Sequence, residues 1–294
     1  MGMLKTIIKY FFVTVGINPE RLIRVISKWS IKSTIIAEDY NELIEKLRNI
    51  EPDLSEQYSR GKEKYNDYLE LKRRALHAFQ CSLMLKVLGK LDAMKLTVVD
   101  IGDSAGTHMR YLQELTKSKY EVNTISVNLD SRAIEKIKAK GQKAILCRAE
   151  DLNLNMEQRI DLFTSFEMVE HLHNPAIFFH RLANKSGCNT MLITLPYLRY
   201  SRVGLHNVRN KVENIIFAED EHIFELNPED WTLLMLHSGW KVVHSEIYYQ
   251  YPTKWFFIKW LLRKYWQITD YEGFWGAILE KEKTYDELYQ DWED

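Results

Sequence analysis

The chain has 294 residues, of which 46% are hydrophobic and 28% charged, and its formal net charge at pH 7 is −1. This length suits one large α/β domain with additions or two small domains, and the composition is that of an ordinary globular protein. A nearly neutral chain gives no general electrostatic case for nucleic-acid binding. Three cysteines without a Cys-x-x-Cys pair argue against a disulfide framework and against a cysteine zinc site.

The N-terminal residues carry a basic, amphipathic pattern. Lys5 and Lys9 interrupt the first apolar run and no small-residue cleavage site follows it, so we expect neither a signal peptide nor a transmembrane span. The apolar residues of segment 4–15 share one helical face, and through residue 36 the cations are opposed only by Glu20. Such a segment can lie on an anionic membrane surface, or it can pack on the protein's own core or a partner subunit. The pattern predicts no oligomeric state.

Residues 1–92 are predicted to form a helical extension. The apolar spacing indicates a charged helix over residues 39–48 and a longer helix over residues 66–88, with Gly89 after its end. From residue 96 the period changes, and strand-like runs alternate with helical runs. This alternation is typical of a parallel sheet with crossover helices, so we predict a second domain over residues 93–294.

The predicted elements of this domain follow one another without a long linker until residue 197. Strands are predicted at 96–101, 121–127, 143–147, 160–165, 189–195, 241–249 and 274–279, and helices at 107–117, 131–140, 175–185, 227–239 and 253–266. Pro196 is expected to close the fifth strand. Two insertions interrupt the pattern: a polar connection at about 197–220, of a length that is usually functional or disordered, and the helix at 253–266.

The inserted helix at 253–266 is aromatic and basic, with no acidic residue. Trp and Tyr are favoured at membrane interfaces, where one end of the side chain is apolar and the other is wet. Peripheral membrane contact through this segment and segment 4–15 is one interpretation. Packing over the sheet, or a dimer contact, is the other.

Residues 97–108 combine an apolar strand, a glycine turn and the start of a helix. That arrangement forms a cradle for a nucleotide-like ligand, because backbone N–H groups at a helix N-terminus face the ligand. Gly102 and Gly106 allow a close approach, since neither presents a Cβ atom.

The turn Asp100-Ile-Gly-Asp-Ser-Ala-Gly106 resembles the D-x-G-x-G-x-G motif of class I S-adenosylmethionine-dependent methyltransferases, with Ser104 in place of the central glycine. Segments that resemble later motifs of the family follow in the same order, at 147–152, 160–175, 221–231 and 238–243. The resemblance implies a Rossmann-like, doubly wound seven-stranded α/β sheet with its last strand antiparallel. It also implies a cytoplasmic enzyme that uses S-adenosylmethionine. A dinucleotide fingerprint would instead need glycines at Ser104 and Thr107.

The resemblance also implies which residues bind the cofactor. In the family an acidic residue at the end of the second strand holds the ribose hydroxyls, and here that position is Asn128. An amide forfeits a charge-assisted hydrogen bond worth roughly 1.5–3 kcal/mol, and Asp130 is placed to compensate. The cofactor-binding residues implied in this way are Asp100, Gly102, Asp103, Ser104, Gly106, Asn128, Leu129, Ala149, Glu150 and Phe166.

Methyl transfer from a sulfonium is an in-line displacement, in which the protein positions the acceptor and removes its proton. We predict His171, Glu170 and His222 as the catalytic residues. The pattern from Glu167 to His171 resembles the Glu-x-x-Glu-His of ubiquinone-pathway and small-RNA 2′-O-methyltransferases, which use a divalent cation. The same Glu-His is widespread in methyltransferases that need no metal, and we expect none here.

The connection after the fifth strand is expected to lie over the acceptor. Arg199, Arg202 and His206 are predicted to bind the substrate, since arginines there suit a phosphate or carboxylate, although solvated loop charges would look the same. By resemblance we expect O-methylation of a small or lipid-linked metabolite such as a sugar, quinone or glycolipid, in the cytoplasm or at the inner face of a membrane. Because Ser104 and Asn128 depart from the family pattern, the alternative is a non-catalytic, cofactor-binding adaptor at a membrane surface or in a protein complex.

Overall fold

The computed structural model describes residues 18–57, 65–152, 159–212 and 215–289, so segment 4–15 lies outside the described residues. The described chain forms two compact units. The helical unit contains residues 18–55, 65–79 and 248–274, and the sheet unit contains residues 56–57, 80–247 and 275–289 apart from the gaps given above. This division differs from the expected one at residue 92, because residues 80–92 belong with the sheet and residues 248–274 with the N-terminal helices.

The helical unit begins with α1 (Pro19–Ala37) and α2 (Asn41–Ile50), and it holds the first half of α3 (Asp67–Leu88). Asn18 caps α1 by accepting hydrogen bonds from the backbone N–H groups of Glu20 and Arg21, at 3.0 and 3.2 Å. Helices near 39–48 and 66–88 are therefore present as predicted.

A fully buried arginine joins α2 to α3. The Arg74 guanidinium donates to the carbonyl oxygens of Leu47, Glu51 and Pro52, at 3.1, 2.5 and 3.0 Å, and its Nε lies 2.7 Å from a carboxylate oxygen of Glu70. Carbonyl groups at a helix end have no partner within the helix. Arg74 bonds one carbonyl group of the last turn of α2 and the two that follow the helix, and Glu70 balances its buried charge.

The last helix of this unit, α9 (Phe256–Thr269), packs on α1. The buried Trp266 indole donates to Ser30 Oγ at 3.0 Å, and Ser30 Oγ donates to the carbonyl oxygen of Gln250 at 2.7 Å. The helix begins three residues later than predicted from position 253. Lys254, which precedes the helix, donates to the Ala37 carbonyl oxygen at 2.5 Å.

The large sheet has seven strands: β1 (Lys95–Ile101), β2 (Glu121–Asn128), β3 (Lys143–Leu146), β4 (Leu162–Phe166), β5 (Thr190–Tyr197), β8 (Trp240–Tyr249) and β9 (Gly273–Lys281). Their order across the sheet is β3-β2-β1-β4-β5-β9-β8. The four pairs among β1 to β5 are parallel, and the last strand in the chain, β9, is antiparallel. The predicted fold class, a Rossmann-like doubly wound sheet, is confirmed.

Helices cover the sheet at the predicted places, as α4 (Thr107–Thr116), α5 (Ser131–Ala139), α6 (Pro175–Lys185) and α8 (Pro228–His237). Asp130, Asn174 and Asn227 accept a backbone hydrogen bond at the starts of α5, α6 and α8. Because caps of this kind are local, the sequence shows where these helices begin. The core between helices and sheet is built from buried apolar residues, including Val99, Ile101, Phe163, Phe179, Met191, Ile193 and Trp240.

The prediction that Pro196 closes the fifth strand is wrong, because β5 runs on to Tyr197. Its pairing with β4 covers residues 191–194, so Pro196 lies beyond that pairing. The pairing with β4 therefore needs no N–H group from Pro196.

The connection after β5, predicted as a polar segment at about 197–220, contains regular secondary structure. It holds β6 (Arg202–Val203), the short helix α7 (His206–Arg209), a 3₁₀ turn at Ala218–Asp220 and β7 (Phe224–Glu225). β6 and β7 pair antiparallel, so the two ends of the connection meet.

No helix in the described parts of the chain combines the length and hydropathy needed to cross a bilayer.

Candidate cofactor and acceptor site

The glycine turn after β1 has a backbone that only glycine adopts easily. Gly102 and Gly106 have φ angles of +97° and +72°, and the Gly102 N–H donates to the Val127 carbonyl oxygen of β2 at 2.8 Å. A Cβ atom on Gly102 would lie 2.4 Å from Cγ of Met168, and one on Gly106 would lie 1.9 Å from Oε1 of Gln142. A side chain at either position would therefore be strained by the positive φ angle and would collide with Met168 or with the end of the Gln142 side chain.

Asp103 folds this turn from within. Its Oδ1 accepts hydrogen bonds from the backbone N–H groups of Ala105 and Gly106, at 3.1 and 2.8 Å, and its Oδ2 accepts from Ser126 Oγ at 2.6 Å. Burial raises the pKa of Asp103, whereas these hydrogen bonds act to lower it. The predicted cofactor residue thus shapes the turn with its own carboxylate.

Asp100 is buried near the end of β1, just before the glycine turn. Its Oδ1 accepts from Thr164 Oγ1 at 2.8 Å, and burial, together with the nearby Asp103, raises its pKa well above the usual range. A carboxyl group in this position fixes the end of β1 against β4.

Asn128, which stands where the family has its ribose-binding acid, also holds the turn. Its amide Nδ2 donates to the Asp103 carbonyl oxygen at 2.9 Å, and its Oδ1 accepts from the Asp130 N–H at 2.8 Å. An amide oxygen has two lone pairs, so one remains for a ribose hydroxyl. Asp130, expected to compensate, caps α5 through the Arg132 N–H at 3.0 Å and pairs with the Arg132 guanidinium.

Ser104 has a role that sequence reasoning missed. Its Oγ donates to the backbone carbonyl oxygen of Gln57 at 2.6 Å, and Lys136 Nζ donates to the neighbouring carbonyl oxygen of Glu56 at 3.1 Å. A glycine at position 104 could not make this bond. The substitution in the motif therefore ties the segment before α3 to the glycine turn.

The predicted adenine side lies at the ends of β2, β3 and β4. Leu129 is 56% exposed, and Ala149 and Glu150 form a 3₁₀ turn whose Glu150 carbonyl oxygen accepts from Arg181 at 2.5 Å. Phe166 ends β4, with its ring centroid 4.6 Å from that of His108. An apolar side chain and an ordered backbone turn of this kind suit a flat, uncharged ring.

A buried polar chain runs behind Phe166. Gln80 donates to Thr194 Oγ1 at 2.8 Å, and its Oε1 lies 2.8 Å from Nε2 of His108. Burial lowers the pKa of His108 to about 3, so the ring is neutral and donates to Gln80. No sequence signal identified these hydrogen bonds, because residues 80, 108 and 194 meet only in the folded sheet unit.

The acceptor side begins where β4 ends. Glu167 has a φ angle of +50°, which is uncommon for a residue with a side chain, and a 3₁₀ turn at Val169–His171 follows it. This strained turn presents the Glu-x-x-Glu-His segment at the carboxyl end of the sheet, where α/β proteins bind ligands.

His171 is oriented by two carbonyl groups. Its Nδ1 lies 2.9 Å from the Ala218 oxygen and 3.0 Å from the Glu221 oxygen, so Nδ1 carries the proton and donates to both. Burial, with a smaller contribution from His222, lowers the pKa of His171 to about 4. At neutral pH its Nε2 therefore offers a lone pair, 4.0 Å from Oε1 of Glu170.

Glu170 is 1% exposed, and neither of its carboxyl oxygens has a hydrogen-bond partner among the described residues. Burial raises its pKa well above the usual range, and Glu167 and Glu225 add repulsion. A buried carboxyl group without partners is costly unless it holds a proton or meets a positive ligand.

Glu225 lies among three basic side chains of the connection. Its buried carboxylate bonds to Arg202 Nε, and it lies 3.3 Å from His206 Nε2 and 3.5 Å from His222 Nδ1. Arg202 and His206, predicted to bind substrate, thus face an internal carboxylate while their side chains stay partly exposed, and Arg199 is exposed on the same connection.

Three of these side chains could hold a cation. Glu170, His171 and His222 each offer one ligand atom, and the three atoms lie within 4.8 Å of one another. The rings of His171 and His222 meet edge to face, with centroids 4.6 Å apart. Two imidazoles and a carboxylate suit a divalent transition metal.

A separate cleft of about 600 Å³ lies away from these residues, between the start of β5 and the end of β9. Thr190, Ile278 and Lys281 are among its lining residues, and none of the predicted site residues is. The carboxyl ends of the strands, where the predicted residues gather, remain the candidate site.

Comparison with known protein families agrees with this geometry. Residues 99–185, which hold the glycine turn and the Glu-x-x-Glu-His segment, match a methyltransferase domain family. This part of the chain is a methyltransferase domain, and the seven-stranded sheet with its last strand antiparallel has the Rossmann-like methyltransferase fold. S-adenosylmethionine is accordingly the cofactor of this methyltransferase, and the glycine turn that a Cβ atom would fill fits it.

Solved structures similar to the methyltransferase include magnesium protoporphyrin IX methyltransferase from Synechocystis with bound S-adenosylhomocysteine, at 11% identity, TM-score 0.49 and coverage of 85% of this chain and 100% of that one. A cyclopropane synthase from Mycobacterium tuberculosis is 14% identical, with TM-score 0.48 and coverage of 80% and 93%. An S-adenosylmethionine-dependent methyltransferase from Mesorhizobium loti is 11% identical, with TM-score 0.46 and coverage of 67% and 96%. No curated protein sequence matches the chain.

Proposed function

We propose that the methyltransferase methylates a hydroxyl oxygen of a small or lipid-linked metabolite, such as a sugar, a quinone or a glycolipid. The observation that carries the proposal is the His171 ring, neutral and oriented with its Nε2 lone pair beside Glu170 and His222. A hydroxyl acceptor must lose a proton as its oxygen is methylated, and a positioned lone pair can receive it.

In this mechanism the residues of the chain divide into two groups. The glycine turn, Asn128 and the 3₁₀ turn at Ala149 would hold the cofactor, whose sulfonium supplies an activated methyl group. On the other side, His171 Nε2 would accept the hydroxyl proton while the carbonyl groups of Ala218 and Glu221 stabilise the Nδ1–H that faces them. Glu170, with its raised pKa, would carry a proton of its own and not compete as the base.

The low pKa of His171 limits its strength as a base. A pKa of about 4 keeps the ring deprotonated at neutral pH but gives little driving force for proton removal. A divalent cation on Glu170, His171 and His222 would act differently, because it would lower the pKa of the acceptor hydroxyl itself. We favour the route without metal, and chelation separates the two.

On the acceptor side we propose that Arg199 contacts an anionic group of the substrate, and that Arg202 and His206 contribute through the ordered connection. Their carboxylate partner Glu225 also faces His222. A substrate above this connection would thus meet the exposed guanidinium groups of Arg199 and Arg202, the second of which is paired with Glu225.

The first experiment is an acceptor screen with S-adenosylmethionine over sugars, quinones and lipid-linked glycans, run on the wild type, on His171→Asn and on His173→Asn. His173 is an exposed neighbour and serves as the matched control. We expect His171→Asn to lower kcat by about 10²- to 10⁴-fold and His173→Asn to leave it unchanged. Full activity of His171→Asn would remove His171 from the mechanism.

The same assay with a chelator tests the metal. We expect activity to persist after chelation, with no divalent metal found in the purified protein. Loss of activity that a divalent cation restores, and that Glu170→Gln abolishes, would replace the metal-free route by the cation route.

A non-catalytic adaptor is the second candidate function. Ser104 and Asn128, which depart from the family pattern, are both engaged in hydrogen bonds within the protein, and this observation favours it. An adaptor would bind S-adenosylmethionine without turning it over in any acceptor screen. Turnover with one acceptor would exclude it.

A lipid-linked acceptor would place the methyltransferase at the inner face of a membrane. Segment 4–15, expected to contribute, lies outside the described residues, whereas residues 253–266 belong to the helical unit.

A further inference from the structure

One side of α1 is exposed although it is partly apolar. Val25, Trp29 and Ile36 are 58%, 45% and 64% exposed, and with Lys32 they are spaced i, i+4, i+7 and i+11. That spacing places all four on one side of the helix. The remaining side holds the buried residues, among them Ser27, Ser30, Ile31, Thr34 and Ile35.

A second exposed apolar stripe lies on α9. Trp260 and Leu261 are 63% and 62% exposed, and Lys264 follows on the same side one turn later. Leu262 and Trp266 point the other way and are buried. A tryptophan and a leucine exposed side by side are unusual on a helix that already has a buried face.

The two stripes meet at Trp255, which precedes α9. Its ring lies 6.2 Å from that of Trp29 between centroids, at an angle of 53°, and the adjacent Lys254 is bonded to the end of α1. Trp255 is itself 40% exposed. We call the resulting surface the tryptophan face, made of Val25, Trp29, Ile36, Trp255, Trp260 and Leu261.

The charges that α1 and α9 themselves expose beside the tryptophan face are cations, and the nearest acidic residues, Glu38 and Asp39, follow the end of α1. Residues 256–269 contain no acidic residue, and residues 19–37 contain only Glu20, which lies on the other side of α1. Arg21, Lys32 and Lys264 are exposed beside the apolar residues. A net charge of −1 for the whole chain makes this local excess of cations a distinct feature.

We propose that the tryptophan face docks on the surface of an anionic lipid bilayer. Tryptophan indoles partition to the headgroup region, and lysine and arginine beside them attract anionic headgroups. A second copy of the chain would bring the same cations against each other across a two-fold interface, which opposes dimerisation through this face. The inference goes beyond methyl transfer and does not depend on it.

The test is co-sedimentation of the full chain with vesicles of phosphatidylcholine alone or with phosphatidylglycerol. Leu261→Ser on α9 is paired with Leu233→Ser on α8, because the two leucines are 62% and 59% exposed on helices of different units. Trp29→Ser with Trp260→Ser is the stronger variant. Lys32→Glu with Lys264→Glu is compared with Lys138→Glu, an exposed lysine of α5.

We expect wild type and the Leu233 and Lys138 variants to bind phosphatidylglycerol vesicles, with weaker binding at high salt. The double tryptophan and double lysine variants should bind at least about tenfold more weakly. Three results would overturn the proposal: no binding by the wild type, equal binding by all variants, or binding lost only on removal of residues 1–17. A fourth contradicting result would be a dimer, detected by sedimentation velocity without lipid, that Leu261→Ser dissociates.

Discussion

At the scale of single residues, the cofactor turn is built by side chains that bond to its own backbone. Asp103 accepts from two N–H groups of the turn, Asn128 donates to a carbonyl group of it, and Ser104 connects it to Gln57. The turn is therefore preorganised before any ligand enters, and preorganisation lowers the entropy that binding must overcome.

The first prediction concerns Ser104→Gly, which restores the family's central glycine. We expect the free energy of unfolding to fall by about 0.5–1.5 kcal/mol, since the Gln57 carbonyl group loses its donor. Affinity for S-adenosylmethionine should change little, because the serine side chain is directed at the protein. Denaturant unfolding and calorimetry measure the two effects, and a large gain in affinity would show that Ser104 obstructs the cofactor.

The second prediction concerns the pH dependence of methyl transfer. Burial lowers the pKa of His171 to about 4, so the fraction of deprotonated ring falls only when the pH drops through that value. As the pH increases through about 4, we expect kcat/KM to rise because His171 loses its proton. Near neutral pH the titration of His171 should no longer change kcat/KM. An inflection near the ordinary histidine value that disappears in His171→Asn would contradict this protonation state.

Motif spacing predicted which of these residues lie near one another but not what they bond to. Gly102 and Gly106 act within a few residues, so their turn could be predicted from the sequence, whereas the cap that Asp130 forms on α5 was not predicted. Ser104 and Gln57 are 47 positions apart, and their bond depends on the path of the chain before α3. Side-chain bonds of that range have no local signature.

At the scale of elements, the connection after β5 is the part that the sequence described least well. Its polar composition suggested a loop, yet the pairing of β6 with β7 orders it through Arg202 opposite Glu225. Two-residue strands are too short to give a periodic pattern. By contrast, α6 has the predicted bounds, because asparagine and proline mark its start.

The third prediction compares two arginines of this connection. Arg202→Ala should lower the free energy of unfolding by about 1–3 kcal/mol, because it removes a hydrogen-bond donor from the buried Glu225 carboxylate. Arg199→Ala, at an exposed position, should change stability by less than about 0.5 kcal/mol.

The acceptor kinetics of the same two variants test the substrate assignment. We expect Arg199→Ala to raise the acceptor KM without lowering stability. An unchanged KM would show that Arg199 does not touch the substrate, and an unchanged stability of Arg202→Ala would show that its ion pair does not hold the connection.

At the scale of the whole molecule, the chain divides its tasks between two units. The sheet unit carries every residue predicted to bind cofactor or acceptor, and the helical unit carries the tryptophan face. The sequence predicted the fold class because alternating strands and helices with caps leave few topologies. It did not predict that residues 248–274 join the N-terminal helices, since that grouping depends on contacts between distant segments.

The central claim is that the glycine turn of a methyltransferase binds S-adenosylmethionine. Calorimetric titration of S-adenosylmethionine and S-adenosylhomocysteine into the wild type, Gly102→Arg and the control Gly187→Ala tests it most directly. A Cβ atom at position 102 meets Met168, whereas nothing lies within 4 Å of one at position 187. We predict micromolar binding of both ligands to the wild type and the control, of about −8 kcal/mol, and none to Gly102→Arg. Absence of binding to the wild type, or retained binding by a folded Gly102→Arg, would contradict the account.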